Sequence, residues 1–392
     1  MKKEIYLDNA ATTKPYEQVL QTMAETALNN YYNPSSAYKN GLDCEKILLK
    51  SRLAVSQTIG AARDEIVFTS GGTESNNQAV TALCRANKNK GSHVISSKTE
   101  HSSVYDVVKA LKPEFETDYV KLDKYANIDI ENLKTLIKKD TILVSLMHVN
   151  NETGTLYPIS TIGEIIKSIN PNCYFHVDCV QSFMKEDIDV NEGFKNVDLL
   201  SVSAHKIHGP KGIGFLYVRK NTKLPPLIDG GGQESGLRSG TENLPAIAGF
   251  AKACEILAPN LKKELEDVLD KKNFFLSKIK ENITDITVNT PENSAPHILN
   301  VSFLGVRGQV LLNALESCGV LVSTASACSA KTGVSRVLKE LKRPGLVTDG
   351  AIRFSLDASN AYDELDYAVK CLKENVEAIR KISNYKTVKK NA

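Results

Sequence analysis

The stretch "DLLSVSAHKIHGPKGIGFLYV", residues 198–218, decides the fold. Its two arms, DLLSVS (198–203) and GIGFLYV (212–218), are β-branched or aromatic and bounded by turn residues, the pattern of strands. Neither arm alternates cleanly between apolar and polar, so both suit a sheet buried on its two faces. Working outward, EIVFTS (65–70), HVISS (93–97), TILVSLMHV (141–149) and CYFHVD (173–178) read the same way. Helix-length segments such as 75–89 and 159–169 lie between them. Strands alternating with helices predict an α/β fold, with a mostly parallel central sheet covered by helices.

From about residue 244 the pattern changes. Residues 245–283 are helical and highly charged. HILNVSFLG, a helix at 308–318, VLVST, a helix near 335–342, AIRFSL and a last helix near 362–382 follow. We expect a large α/β domain over 16–250 and a smaller C-terminal α+β domain over 251–392, joined by residues 1–15.

A length of 392 residues suits two domains, and 42% apolar residues suffice for a sizeable core. The net charge of +3 is too small to argue for nucleic-acid binding. The N-terminus, MKKEIYLDNAATTKPY, lacks the apolar run of a signal peptide, and there is no run of 18 apolar residues. Eight cysteines without a CxxC pair do not suggest a disulfide framework in so long a chain. The expectation is a soluble, reduced, cytoplasmic protein with no membrane partner.

Ligands of open α/β sheets bind beyond the carboxyl ends of the strands. After EIVFTS comes GGTESNN, where two glycines and Thr73 open a helix, a suitable cradle for phosphate. By itself it reads more readily as a capped glycine turn. Asp178 ends the strand CYFHVD, and a carboxylate there needs a partner. His205 and Lys206 follow DLLSVS. A lysine at a strand end in a cleft can lose its charge and attack carbonyls, although a lone one is more often a solvated loop residue. Phosphate cradle, carboxylate and lysine together are what pyridoxal phosphate requires. GGGQESG (230–236) lacks the dinucleotide spacing, GPKGIG lacks the GK[ST] ending of a P-loop, and strand alternation splits Cys173, His176, Asp178 and Cys179 between two faces, so no metal site is expected.

These motifs, in this order, resemble the cysteine desulfurases of the NifS/IscS type, which are fold-type I pyridoxal-phosphate enzymes. YLDNAATT (6–13), FTSGGTESNN (68–77), KTEHSSV (98–104), MHVNNETG (147–154), HVDCVQS (176–182), SVSAHKIHGPKGIG (201–214), GGGQESGLRSGTEN (230–243), SACSA (326–330) and IRFSL (352–356) carry the likeness along nearly the whole chain.

The resemblance implies that Lys206 holds the cofactor and moves protons, that His101 stacks on its ring as acid–base partner, and that Asp178 binds the pyridine nitrogen. Gln181 and Asn151 would contact the ring. Gly72, Thr73, Ser203 and His205 would hold the phosphate, joined by Thr241 across a homodimer interface. Arg353 would pair with the substrate carboxylate, where a guanidinium fork is well shaped; without the motif it reads as a strand-edge surface arginine. Cys328 falls on the family's nucleophile.

The implied reaction converts L-cysteine to L-alanine and leaves a persulfide on Cys328. The sulfur would pass to an iron–sulfur scaffold or a tRNA-thiolating enzyme. A selenocysteine lyase, or a non-catalytic pyridoxal-phosphate protein acting as a docking subunit, are the alternatives. The small residues around Cys328 and the Thr332–Gly333 turn suit a segment that delivers a thiol. Four positions depart from the family pattern: Ala325 and Ala204 replace glycine, Cys179 follows Asp178 and sets a second thiol near the ring, and Ser235 stands where many members carry arginine. The other cysteines read as packing residues, and the basic segment VLKELKRPG (337–345) as a solvated helix face.

Overall fold

The computed structural model describes residues 4–324 and 335–385. The chain enters on a short strand, β1 (Ile5–Tyr6). It then builds a seven-stranded sheet from β2 (Ile66–Thr69), β3 (His93–Ser96), β4 (Glu116–Tyr119), β5 (Thr141–Met147), β6 (Tyr174–Asp178), β7 (Leu199–Ser203) and β8 (Gly214–Val218). The spatial order is β2-β8-β7-β6-β5-β3-β4. The pairs from β7 across to β4 are parallel, and β8 runs antiparallel to both its neighbours. Every residue of β5, β7 and β8 is buried, which is why these segments read as continuous apolar runs.

Helices cover both faces. The helix Ile159–Ile169 falls where its apolar spacing places it. The expected helix at 75–89 runs instead from Gly72 to Ala86 and contains a π-helical turn, Gln78–Ala82. The helix Leu244–Leu257 packs on the first core through Phe250, Ala253, Cys254 and Leu257. A 3-10 turn, Ala258–Asn260, separates it from the long helix Leu261–Asn282.

A second core then forms around β9 (Ile286–Val288), β10 (Ile298–Phe303) and β12 (Ala351–Ser355), an antiparallel sheet of order β12-β10-β9. Phe275, Phe303, Phe354 and Leu372 are buried in it, and so are Ile5 and Leu7 from the start of the chain. β1 pairs in parallel with β11 (Val320–Leu321), and Asp8 bridges to Ser355. Residues 9–13 then cross to the large sheet, where the Thr13 N–H donates to the His205 carbonyl. No helix among the described residues is long and apolar enough to cross a membrane.

Candidate active site

The parallel strands β5, β6 and β7 set Met147 opposite Asp178, and Asp178 opposite Ser201, so their carboxyl ends open on one edge. A cavity of about 270 Å³ lies there. Gly72, Thr73, His101, Asn151, Asp178, Gln181, Ser203, His205, Lys206 and Arg353 all line it. Residues spread over 280 positions of sequence thus meet because each sits at a strand end or in the loop after it. Thr241 is exposed and does not line the cavity of its own chain. Cys328, Ala325 and the Thr332–Gly333 turn lie outside the described residues.

Lys206 closes the 3-10 turn that follows β7. Its Nζ donates to the carbonyls of Ala10 (2.8 Å) and Ala11 (2.7 Å). Burial pushes this amine down to about 7, and Arg353 and Lys185 push the same way against Asp8 and Asp178. A lysine so placed is about half in its neutral, nucleophilic form near neutral pH, unlike one in water.

Asp178 is buried at the cavity floor. Its Oδ2 accepts from Asn76 Nδ2 (2.7 Å) and its Oδ1 from the Val180 N–H (3.0 Å). Both are neutral donors, so the carboxylate still lacks a cation in direct contact among the described residues. His101 caps the helix Ser102–Leu111, its Nδ1 accepting from the Ser103 N–H. Burial lowers the pKa of this ring, with the negative charge of Asp178 opposing.

At the other end, Gly71 has φ 147°, which only glycine tolerates comfortably. A Cβ on Gly72 would lie 2.5 Å from Val180 Cγ2. The cavity wall therefore needs both glycines. Ser203 is buried beside them, and His205 Nδ1 meets the Thr12 hydroxyl at 3.1 Å. Burial, assisted by Lys206, Lys211 and Lys185, lowers His205 to about 3, so the ring is neutral.

Arg353 corrects the reading it has outside the motif, that of a surface arginine. It is 1% exposed, on β12 in the second core. Nη1 donates to the Asn151 carbonyl and Nη2 to Asp8 Oδ1, both at 2.8 Å. Nε has no partner among the described residues.

Cys179 also departs from expectation. It is fully buried in the first core and does not line the cavity, and burial raises its thiol well above the ordinary range. The strand alternation that turns Asp178 to the cavity turns its neighbour away. His176 is held between the hydroxyls of Ser145 and Ser201, a packed core histidine. The basic segment 337–345 is only partly a solvated face: Val337, Leu338 and Leu341 are buried, and Arg343 donates to Asn289.

Sequence reading missed Asn76 and Ser103, which stand behind Asp178 and His101, and the carbonyls of Ala10 and Ala11. Asn76 lies within a quoted motif, but its type carries no chemistry of its own. Backbone carbonyls leave no signal in residue type at all.

The class-V aminotransferase family model matches residues 5–368. The cysteine desulfurase IscS of Dictyoglomus turgidum is 41% identical over 98% of each chain. The chain belongs to the cysteine desulfurases of the class-V aminotransferase family. The cysteine desulfurase IscS of Clostridium botulinum is 39% identical over 98% of this chain and 97% of its own. Among solved structures, a NifS-like protein matches with a TM-score of 0.90 and 35% identity, over 96% of this chain and 100% of that one. Another, SspA in complex with cysteine, matches with a TM-score of 0.81 and 33% identity, over 92% and 100%. A desulfurase fold thus explains why a strand-end lysine, a floor carboxylate and a buried arginine from the second core share one cavity.

Proposed function

We propose that this chain is a cysteine desulfurase that uses pyridoxal phosphate to take sulfur from L-cysteine. The observation that carries the reading is the convergence of the lowered Lys206 amine with Asp178 and Arg353 in one cavity. The donor set suits the cofactor. The Gly71–Thr73 turn with Ser203 and His205 suits its phosphate, Asp178 a protonated pyridine nitrogen, and Lys206 its aldehyde carbon. When bound, pyridoxal phosphate withdraws electrons from the substrate's Cα.

The chain's own residues do the rest. Arg353 orients the substrate carboxylate, and Asn151 and Gln181 would border the ring. His101 would lie against it and hold a proton beside it. Lys206 moves the proton at Cα. Cys328, as thiolate, attacks the substrate sulfur; the S–S bond forms as the Cβ–S bond breaks, and its electron pair takes up a proton at Cβ. L-cysteine and the Cys328 thiol thus become L-alanine and a Cys328 persulfide. We read the chain as two domains; the separate core around β10 and β12 supports the division, while the helix Leu244–Leu257, packed on the first core, carries the boundary from the expected 250 to the Ala258–Asn260 turn. A cytoplasmic homodimer in which the second copy supplies Thr241 to the phosphate is consistent with Thr241 standing outside its own cavity. An iron–sulfur scaffold or a tRNA-thiolating enzyme would receive the sulfur.

Cys328→Ala is expected to keep the visible absorbance of the bound cofactor and to lose sulfide release from L-cysteine. Unchanged sulfide release in that variant would retire the nucleophile. Capture of the cofactor supplies a second test. It needs the neutral amine, and the Lys206 pKa lies at about 7 instead of near 10. The rate at which cofactor-free protein takes up pyridoxal phosphate should therefore rise with pH through about 7 and level off above it. A rate still climbing steeply above about pH 9 would mean that the lysine titrates in its ordinary range.

A further inference from the structure

Asp178 and His101 reach the cavity from different strand ends, yet a single hydrogen-bond chain joins them. Asn76, fully buried, donates from Nδ2 to Asp178 Oδ2 (2.7 Å) and to Ser103 Oγ (2.8 Å). The carboxylate sets the sense of this amide, because the opposite orientation would press Asn76 Oδ1 against a negative charge. Asn76 Oδ1 has no partner among the described residues, so no other bond competes for the choice. With Oγ accepting from Asn76, the Ser103 hydrogen is directed to His101 Nδ1 at 2.8 Å. The Ser103 backbone N–H donates to the same nitrogen at 3.2 Å. Two donors converge on Nδ1, so it presents a lone pair and the proton of the neutral ring is on Nε2.

We propose that Asn76 and Ser103 are positioning residues that lock His101 as the neutral Nε2–H tautomer, so that it acts beside the substrate as a hydrogen-bond donor and leaves proton abstraction to Lys206. For Nε2 to act as a base, Nδ1 would have to carry the proton and face two donors. The charges around the ring do not undo the lock. Asp178 and Asp106 favour protonation, while Lys206 and Arg336 oppose it, and burial, the largest influence, pushes with the latter pair, so the pKa is lowered. The neighbouring Glu100 is pushed up to about 8 by burial and is mostly neutral at pH 7. The proposal rests on the desulfurase reading only for what His101 acts on; the lock belongs to the chain with or without cofactor.

The test is nitrogen-15 NMR of the full chain labelled at histidine, with and without pyridoxal phosphate. In the wild type, Nδ1 should stay unprotonated and Nε2 protonated through the range where an ordinary histidine titrates, about pH 6.5. In Asn76→Leu the Ser103 hydroxyl loses its donor, so its hydrogen is no longer committed to Nδ1 and its oxygen can accept from a protonated Nδ1. The His101 titration should then move up by about half a pH unit or more. Asn76→Leu combined with Ser103→Ala removes the hydroxyl as well and should titrate with Ser103→Ala alone, because Asn76 acts on the ring only through that hydroxyl. Ser103→Ala alone should keep the Nε2–H tautomer through the amide of residue 103 and titrate somewhat higher than wild type, a check that survives if Asn76→Leu does not fold. A protonated Nδ1 in the wild type, or equal shifts in the Asn76→Leu single and double variants, would overturn the lock. An intact lock in a protein that releases no sulfide would overturn the desulfurase reading and spare this one.

Discussion

Replacing Lys206 by alanine is expected to lower turnover of L-cysteine by about 10⁴-fold or more, at or beyond the upper end of what one general acid–base group supplies. Two functions go together: covalent capture of the cofactor and movement of the proton at Cα. The fold should survive. A buried amine with a lowered pKa carries a desolvation cost, and its removal relieves that cost while two carbonyls lose a donor. The Ala10 carbonyl retains the Gln181 Nε2–H at 2.8 Å. The melting temperature of the cofactor-free variant should therefore stay near that of the cofactor-free wild type. Pyridoxal phosphate should still enter but wash out on dialysis, because the remaining contacts are noncovalent. Alanine formation within tenfold of wild type would remove Lys206 from the reaction.

The same residue shows how far the sequence can be read. Lys206 and Asp178 are polar groups that end apolar runs, and a polar group at the end of a buried strand stands out against its neighbours. β5, β7 and β8 were legible because burial on both faces leaves near-continuous apolar runs. β4, Glu116–Tyr119, was not, since it is a half-exposed edge strand reading ETDY. The boundary of the π-containing helix also shifted, because hydrogen-bond slippage leaves no mark in residue type. Arg353 was legible only through the family motif. Its burial depends on Asp8, 345 positions away, and no local pattern reports a partner at that distance. Asn76 and Ser103 are small polar residues whose meaning lies in what they touch, so they emerge only from coordinates.

Arg353→Lys is the second large effect, and it separates binding from chemistry. A guanidinium has five N–H donors. Two are spent on the Asn151 carbonyl and Asp8, and Nε, unpartnered among the described residues, remains with a second hydrogen on each Nη. Nε and one Nη together form the fork that fits a carboxylate. Lysine offers one nitrogen, which can satisfy Asp8 or the substrate but not both in the same geometry. Loss of one charge-assisted bond is worth about 2 kcal/mol, so KM for L-cysteine should rise about 30-fold. If the arginine only places the carboxylate, kcat should fall much less than KM rises. Cofactor absorbance should not change, since the pyridoxal-phosphate groups named above are untouched. Stability should fall as well, because Asp8 keeps its charge beside a poorer partner, and breaking a buried pair outright costs about 3–5 kcal/mol. That figure is an upper bound here: the Asp8 side chain is 21% exposed, and lysine preserves the charge. A variant that loses stability at unchanged KM would make Arg353 a strut between Asp8 and Asn151 and send the search for the carboxylate site elsewhere in the cavity. A variant with raised KM at nearly unchanged stability would assign the buried arginine to substrate, and the Asp8 bond to aiming it.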